Sequence, residues 1–495
     1  MEINPIDRRK MLGLLGAGGL AAVAGFDPVG RRWITAAQAS GRCPTFADVP
    51  PLDGVLLLDD ASRAADSKDK GNIIVQPPCA VLRPGSVRDI QRMIRYCRRY
   101  DVKVAVRGQA HTMFGQSLSP GLVIENGSLN RIHSIGPEGA VVDAGVRWKD
   151  LIIAAYEQGL TPPVITGYTN LSIGGTLSVG GISGRNYAGA QVDHVRVLDV
   201  VTGEGNFGPC SMHEHRDLFE VMLAGLGQCG VMTRVKTELV PAKSRARLYN
   251  INYTDNATFF RDLRTLINRG ELNECFNLWV PPLSATPGYQ IQAVIYFDDN
   301  DPPDDAHLMR GLSVPPDQIP YRDFDYLEWI LSVDAQIDFL RATFAWDDFV
   351  KPWFDVWLPD STVEQYVGEV MPTLTAADIG PFGFLLIFPL HRSALTRPFF
   401  RLPRTQRREF VYLFDILTVA PGPGPNPAFA EAMLARNRRL FEQARDAGGT
   451  RYPIGALEFN RRDWARQYGE LWDEFVERKR RFDPDNILSP GSGIF

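Results

Sequence analysis

Val104-Ala-Val-Arg-Gly-Gln-Ala-His-Thr-Met-Phe-Gly-Gln116 is the stretch on which the reading of this chain turns. Val102, Val104 and Val106 alternate as a strand and run directly into a turn at Arg107–Thr112. Gly108 and Ala110 let backbone come close to a ligand. Upstream, Val87, Ile90, Met93, Ile94 and Cys97 share one face at helical period, with Ser86 as N-cap and Asp101 as the stop. Downstream, strands are expected at Leu122–Glu125 and around Val141–Ala144, then a helix from about Trp148 that stops at Gly159. Residues 160–190 read mostly as loop and hold a second Gly-rich run, Ile173-Gly-Gly-Thr-Leu-Ser-Val-Gly-Gly-Ile-Ser-Gly184. Here Gly174 and Gly175 bring the backbone close, while Ser172, Ser178 and Thr112 offer hydroxyl donors. Strand signals return at Val195–Val201 and Val231–Val235.

From about residue 245 the character changes. Tyr249–Tyr253, Gln290–Phe297, Gly383–Pro389 and Phe410–Thr418 read as longer strands. Helices are expected at Asn256–Arg269, Ser361–Leu374, Ala428–Ala447 and, as one piece, Asp463–Arg480. There is no internal repeat, and the pattern is α+β rather than a regular βαβ succession. The Trp and Phe residues between Phe344 and Trp357 are taken chiefly as core.

The 495 residues carry a formal net charge of −5, which gives no basic footprint for nucleic acid. Six scattered cysteines include no CxxC pair and make no disulfide framework. His213 and His215 form an H-x-H without a third ligand in reach, so no metal is expected. At the N-terminus Arg8-Arg9-Lys10, an apolar Gly/Ala-rich run from Met11 to about Gly25 and Ala37-Gln38-Ala39 stand in the order of a signal peptide. The Arg pair points to twin-arginine export of a folded protein, with residues 1–39 removed and delivery to the periplasm or outside. The apolar run is too short to span a bilayer, and no span is expected in the mature chain.

The two Gly-rich runs resemble the cytokinin dehydrogenases, within the flavoproteins related to vanillyl-alcohol oxidase and p-cresol methylhydroxylase. Residues 104–116 are similar to that family's RGxGHSxxGQ loop and residues 173–184 to its VGGTLSxxGISG segment. Leu198–Gly203, Gly225–Arg234, Lys351–Ser361 and Phe482–Gly491 match further blocks, so the resemblance covers nearly all of 75–495. It implies a two-domain, p-cresol methylhydroxylase-type FAD fold. The FAD domain is expected to be discontinuous, at 43–244 and 455–495, with a substrate cap at 245–454. It implies FAD attached covalently through His111. The residues expected to hold FAD are Gly108, Gln109, Ala110, His111, Thr112, Gln116, Gly167, Ser172, Gly174, Gly175, Ser178, Ile182, Val231, Met232 and Ser489. A second link through cysteine is not expected: by the spacing of flavoproteins with two links that position is Tyr168, and Cys229 reads as a small buried hydrophobe.

One position departs from the family. Its Trp-Thr-Asp-Tyr run, whose Asp accepts a substrate proton, stands here as Ile165-Thr166-Gly167-Tyr168. Glycine cannot act as a general base. Tyr168 is a candidate for that role by position, its bland alternative being a packing residue with its hydroxyl on a backbone carbonyl. Asp347 and Asp348 read as solvated surface. The expected function is an FAD-dependent oxidoreductase that takes a hydride from a carbon bearing nitrogen or oxygen in a small organic substrate, with oxygen or a quinone as electron acceptor. The alternative is a flavin-bearing binding or electron-carrying module without turnover.

Overall fold

The helix that buries Ile90, Met93, Ile94 and Cys97 spans Val87–Arg99, and all four side chains are fully buried. Burial of each of Ile90, Met93 and Ile94 is worth about 1.5–3 kcal/mol relative to exposure. These residues pack on a four-stranded sheet ordered Val55–Leu57, Ala80–Arg83, Leu122–Glu125, Val104–Arg107. The last three strands are parallel. Ser86 begins the helix, but its hydroxyl donates to Asp53 at 2.6 Å rather than capping. A second sheet, antiparallel, runs Phe207–Ser211, Val195–Thr202, Gly230–Thr237, Gly139–Asp143, Ile132–Gly136.

Residues 245–451 supply an eight-stranded antiparallel sheet. Its order is Tyr321–Asp325, Arg245–Tyr253, Tyr289–Phe297, Glu274–Trp279, Phe384–His391, Phe410–Leu417, Phe354–Pro359, Thr450–Arg451. The chain then returns: Leu488 bridges Val104 in parallel, the Ser489 N–H donates to the Val104 carbonyl, and the Lys479 ammonium donates to the Gln228 carbonyl.

The computed structural model describes residues 23–27, 32–35, 43, 46–279, 288–406 and 408–495. Strands Val23–Asp27 and Arg32–Thr35 pair as a hairpin. Arg8-Arg9, the apolar run up to residue 22 and Ala37–Ala39 lie outside the described residues. Among those residues no helix is long and apolar enough to cross a membrane.

One expectation needs correction, and three features add to the sequence reading. The terminal helix is two, Arg461–Tyr468 and Trp472–Phe482, because Gly469 takes φ 54° and ends the first. The segment expected as loop contains a short helix, Ile173–Leu177. Strands Glu274–Trp279 and Tyr321–Asp325 were not legible. Cys43 and Cys79 form a disulfide, while Cys97, Cys210, Cys229 and Cys275 are buried and free.

Candidate active site

The turn after the Val104–Arg107 strand is pinned from outside. Asp69 accepts from the Thr112 hydroxyl at 2.8 Å and from the Gly115 N–H at 2.6 Å. Burial pushes the Asp69 carboxyl up to about 6, against those hydrogen bonds. Gln116 clamps the far end: its amide nitrogen lies 3.2–3.3 Å from the carbonyls of Pro453, Ile454 and Gly455. Between these anchors Ala110 is held at φ 49°, in the region that favours glycine. Among the described residues the N–H groups of Gln109, Ala110, His111 and Thr112 donate to no protein acceptor. A run of free N–H groups in a turn is a ready site for an anion.

The second Gly-rich run meets the first through Ser172. A Cβ on Gly108 would fall 1.9 Å from the Ser172 Oγ, and one on Gly175 would fall 2.8 Å from it. Glycine at 108 is therefore a packing requirement, because the Ser172 Cβ would also be only 2.9 Å away, whereas at 175 only the rotatable hydroxyl is met. Of the three hydroxyls expected as donors, only that of Ser172 donates to no acceptor among the described residues. Thr112 donates to Asp69, and Ser178 donates to the Gly174 carbonyl at 2.7 Å. The Gly174 N–H is also occupied, by the Ala144 carbonyl at 2.8 Å.

The two runs border one cavity of about 620 Å³. Every residue expected to hold the cofactor lines it: Gly108, Gln109, Ala110, His111, Thr112, Gln116, Gly167, Ser172, Gly174, Gly175, Ser178, Ile182, Val231, Met232 and Ser489. Ser489 does so with its hydroxyl turned to the Gly227 carbonyl at 2.9 Å. The volume lies within the usual range for ligand sites. The opposite wall is the eight-stranded sheet, with Phe276, Phe384, Phe388 and Leu413.

His111 is half-buried between Trp353, edge-on at 5.4 Å between ring centres, and Tyr168 at 5.3 Å. Burial, then the nearby ammonium groups of Lys70 and Lys351, push its imidazole down to about 3. The ring is therefore neutral near pH 7, with a lone pair available. Lys351 is itself buried, donates to the carbonyls of Trp346 and Phe349 at 2.8 Å, and is pushed down to about 6 by that burial.

Gly167 and Tyr168 are placed by Asp334, which accepts from the Thr169 N–H at 3.0 Å and hydroxyl at 2.9 Å. Gly167 faces the cavity with open space where a side chain would stand: the nearest atom to a Cβ is Val333 Cγ2 at 3.9 Å. The Tyr168 hydroxyl does not rest on a backbone carbonyl. It receives Arg341 at 3.2 Å and Asn170 at 3.3 Å. Asp347, expected as free surface, pairs with Lys70 and with Arg341, the latter at 2.9 Å. Burial opposes its ionisation, but these two cations outweigh that and hold its carboxyl below the usual range. Asp348 and the pair His213 and His215 are exposed. The aromatic cluster divides: Phe354 and Trp357 are core, whereas Trp346 and Trp353 line the cavity. Burial pushes the Cys229 thiol up to about 12, which makes it unreactive.

Comparison with known proteins agrees with this geometry. A family described as FAD binding domain matches residues 78–211. A family described as cytokinin dehydrogenase 1, FAD and cytokinin binding matches residues 284–495. Cytokinin dehydrogenase 1 of Oryza sativa subsp. japonica is 30% identical over 93% of this chain and 97% of its own length. Cytokinin dehydrogenase 9 of the same plant is 31% identical over 91% and 92%. The chain belongs to the cytokinin dehydrogenase family. It is an FAD-dependent oxidoreductase with the family's two-domain fold. An uncharacterized oxidoreductase in the fasciation locus of Rhodococcoides fascians is 34% identical, over 89% of this chain and 99% of that protein. Within this family fold, Asp69, Lys70, Tyr452, Asp355 and Asp415 are cavity or anchor residues that motif reading missed.

Proposed function

We propose that this enzyme oxidises a small organic substrate at a carbon bearing nitrogen or oxygen, and that FAD is attached through His111. The observation that carries the proposal is the convergence of residues from 108–116, 167–184, 231–232 and 489 on one cavity whose other wall is largely apolar. The residues fit the group. Four free N–H groups at Gln109–Thr112 suit a pyrophosphate, and the neutral His111 imidazole suits covalent attachment. When bound, FAD supplies the hydride acceptor, and its electrons pass on to oxygen or a quinone. The chain's own part is to position the substrate carbon, exclude water and take up the proton. On this reading 43–244 and 455–495 form the flavin domain and 245–454 the cap.

Substrate turnover tests the reading. Incubation with amines, alcohols and phenols, with oxygen or a soluble quinone as acceptor, is expected to yield a carbonyl product from at least one class. No product from any class with either acceptor would refute it.

The same reading includes export through the twin-arginine route. The Cys43–Cys79 disulfide suits an oxidising compartment. Flavin-holding loops drawn from distant parts of the chain suit transport after folding. Replacing Arg8 and Arg9 by Lys is expected to leave a yellow precursor in the cytoplasm, as judged by cell fractionation. Normal export of that variant would instead indicate a general secretory signal.

A further inference from the structure

The cavity face of the eight-stranded sheet is apolar except for a few polar side chains, among them Glu274, which pairs with Arg185, and two carboxylates that stand side by side. Asp355 and Asp415 are direct cross-strand partners, so both side chains leave the sheet on the same face. They are 3% and 4% exposed, both line the cavity, and the two carboxyls lie against each other. Among the described residues neither oxygen of Asp355, nor Oδ1 of Asp415, receives a hydrogen bond from a third residue; the carboxyls are within hydrogen-bond reach only of each other. A proton shared between them still leaves one buried charge, which is costly and calls for an explanation.

The surroundings supply one cation, and among the described residues no hydrogen bond, to the pair. Arg451 draws Asp355 down electrostatically, but it is the cross-strand partner of Val356 and so belongs to the other face. There its guanidinium lies over the rings of Phe459 at 4.7 Å and Trp464 at 5.1 Å. Tyr452 is the other titratable group acting near the pair. The pair also borders the His111 loop: Asp355 Oδ2 stands 2.3 Å from where a Gly455 Cβ would be, and the Gly455 carbonyl receives Gln116.

We propose that Asp355 and Asp415 recognise a basic amine and accept its proton, a role that Gly167 cannot fill. This rests on the proposed reading of the cavity as an oxidoreductase site and narrows its substrate to amines. With one proton shared across the pair, one negative charge remains, and a substrate ammonium is its natural partner. One N–H bond breaks and one O–H bond forms on the free carboxylate. The neutral amine that results is the form whose carbon can give a hydride to FAD. Burial raises both carboxyls, Asp355 to about 7, and the neighbouring carboxyl raises Asp415 further. Between the ordinary value of 3.8 and about 7 the folded state therefore holds more protons than the unfolded one. Stability contributed by the pair falls as pH rises through that window.

The test uses calorimetric titration of the oxygen-free holoenzyme with benzylamine and with benzyl alcohol. Wild type is expected to bind benzylamine about tenfold or more tightly than benzyl alcohol, as charge-assisted hydrogen bonds require. The Asp355→Asn/Asp415→Asn double variant is expected to lose that preference. Its unfolding temperature is also expected to lose the decline between about pH 4 and pH 7 shown by wild type. Equal binding of the two probes by wild type overturns the proposal even if the variant does not fold. So does a double variant that keeps both the preference and the pH slope. Amine selectivity without flavin reduction by any substrate would leave the pair standing and defeat the oxidoreductase reading. Turnover without amine selectivity would do the reverse.

Discussion

Gly167→Asp is expected to raise turnover of isopentenyladenine by about 10²-fold or more, the usual worth of a positioned general base. The structure leaves room for the side chain. The closest atom to a Cβ at 167 is 3.9 Å away, and the position faces the cavity. Thr166 and Tyr168, retained from the family's run, flank it, and Asp334 fixes the loop through Thr169. Gly167→Asn fills nearly the same volume without a base and is expected to give no such gain. Steady-state assays of the three proteins with isopentenyladenine decide the matter. Wild-type turnover already as fast as that of the Asp variant would show that another group does the work for this substrate.

The second large effect concerns His111. In wild type, acid precipitation is expected to leave the flavin with the polypeptide. In His111→Ala all flavin that copurifies is expected in the supernatant. The physical ground is a ring kept neutral by burial and by Lys70 and Lys351, and held between Trp353 and Tyr168. Without the link, FAD is retained only by the free N–H groups and the packing around them. Stability of the variant should then rise with added FAD, as for any ligand in exchange. Full acid release from wild type would refute the covalent link while leaving the fold intact.

The helix Val87–Arg99, the strand after it and the two Gly-rich runs were legible because periodicity and turn chemistry are local signals. Asp69 was not, because its value lies in contacts with Thr112 and Gly115 more than forty residues away in sequence. The hydroxyls of Thr112 and Ser178 could be recognised as polar, but not that their protons were already taken. Asp355 and Asp415 did leave a trace. Each is a single carboxylate in an apolar strand, Phe354–Pro359 and Phe410–Leu417, a place where an unpaired charge is not expected. Only strand register shows that the two stand opposite each other. The break at Gly469 was hidden because a lone glycine in a helical pattern can be tolerated.

The central claim is that this cavity carries out substrate oxidation. It is tested most directly by mixing the purified protein, without oxygen, with a panel of amines, alcohols and phenols while following flavin absorbance. The account predicts that at least one compound bleaches the flavin and that oxygen or a quinone restores the colour. It would be contradicted if no compound reduced the flavin while some still shifted its spectrum, for the protein would then bind ligands without turning them over.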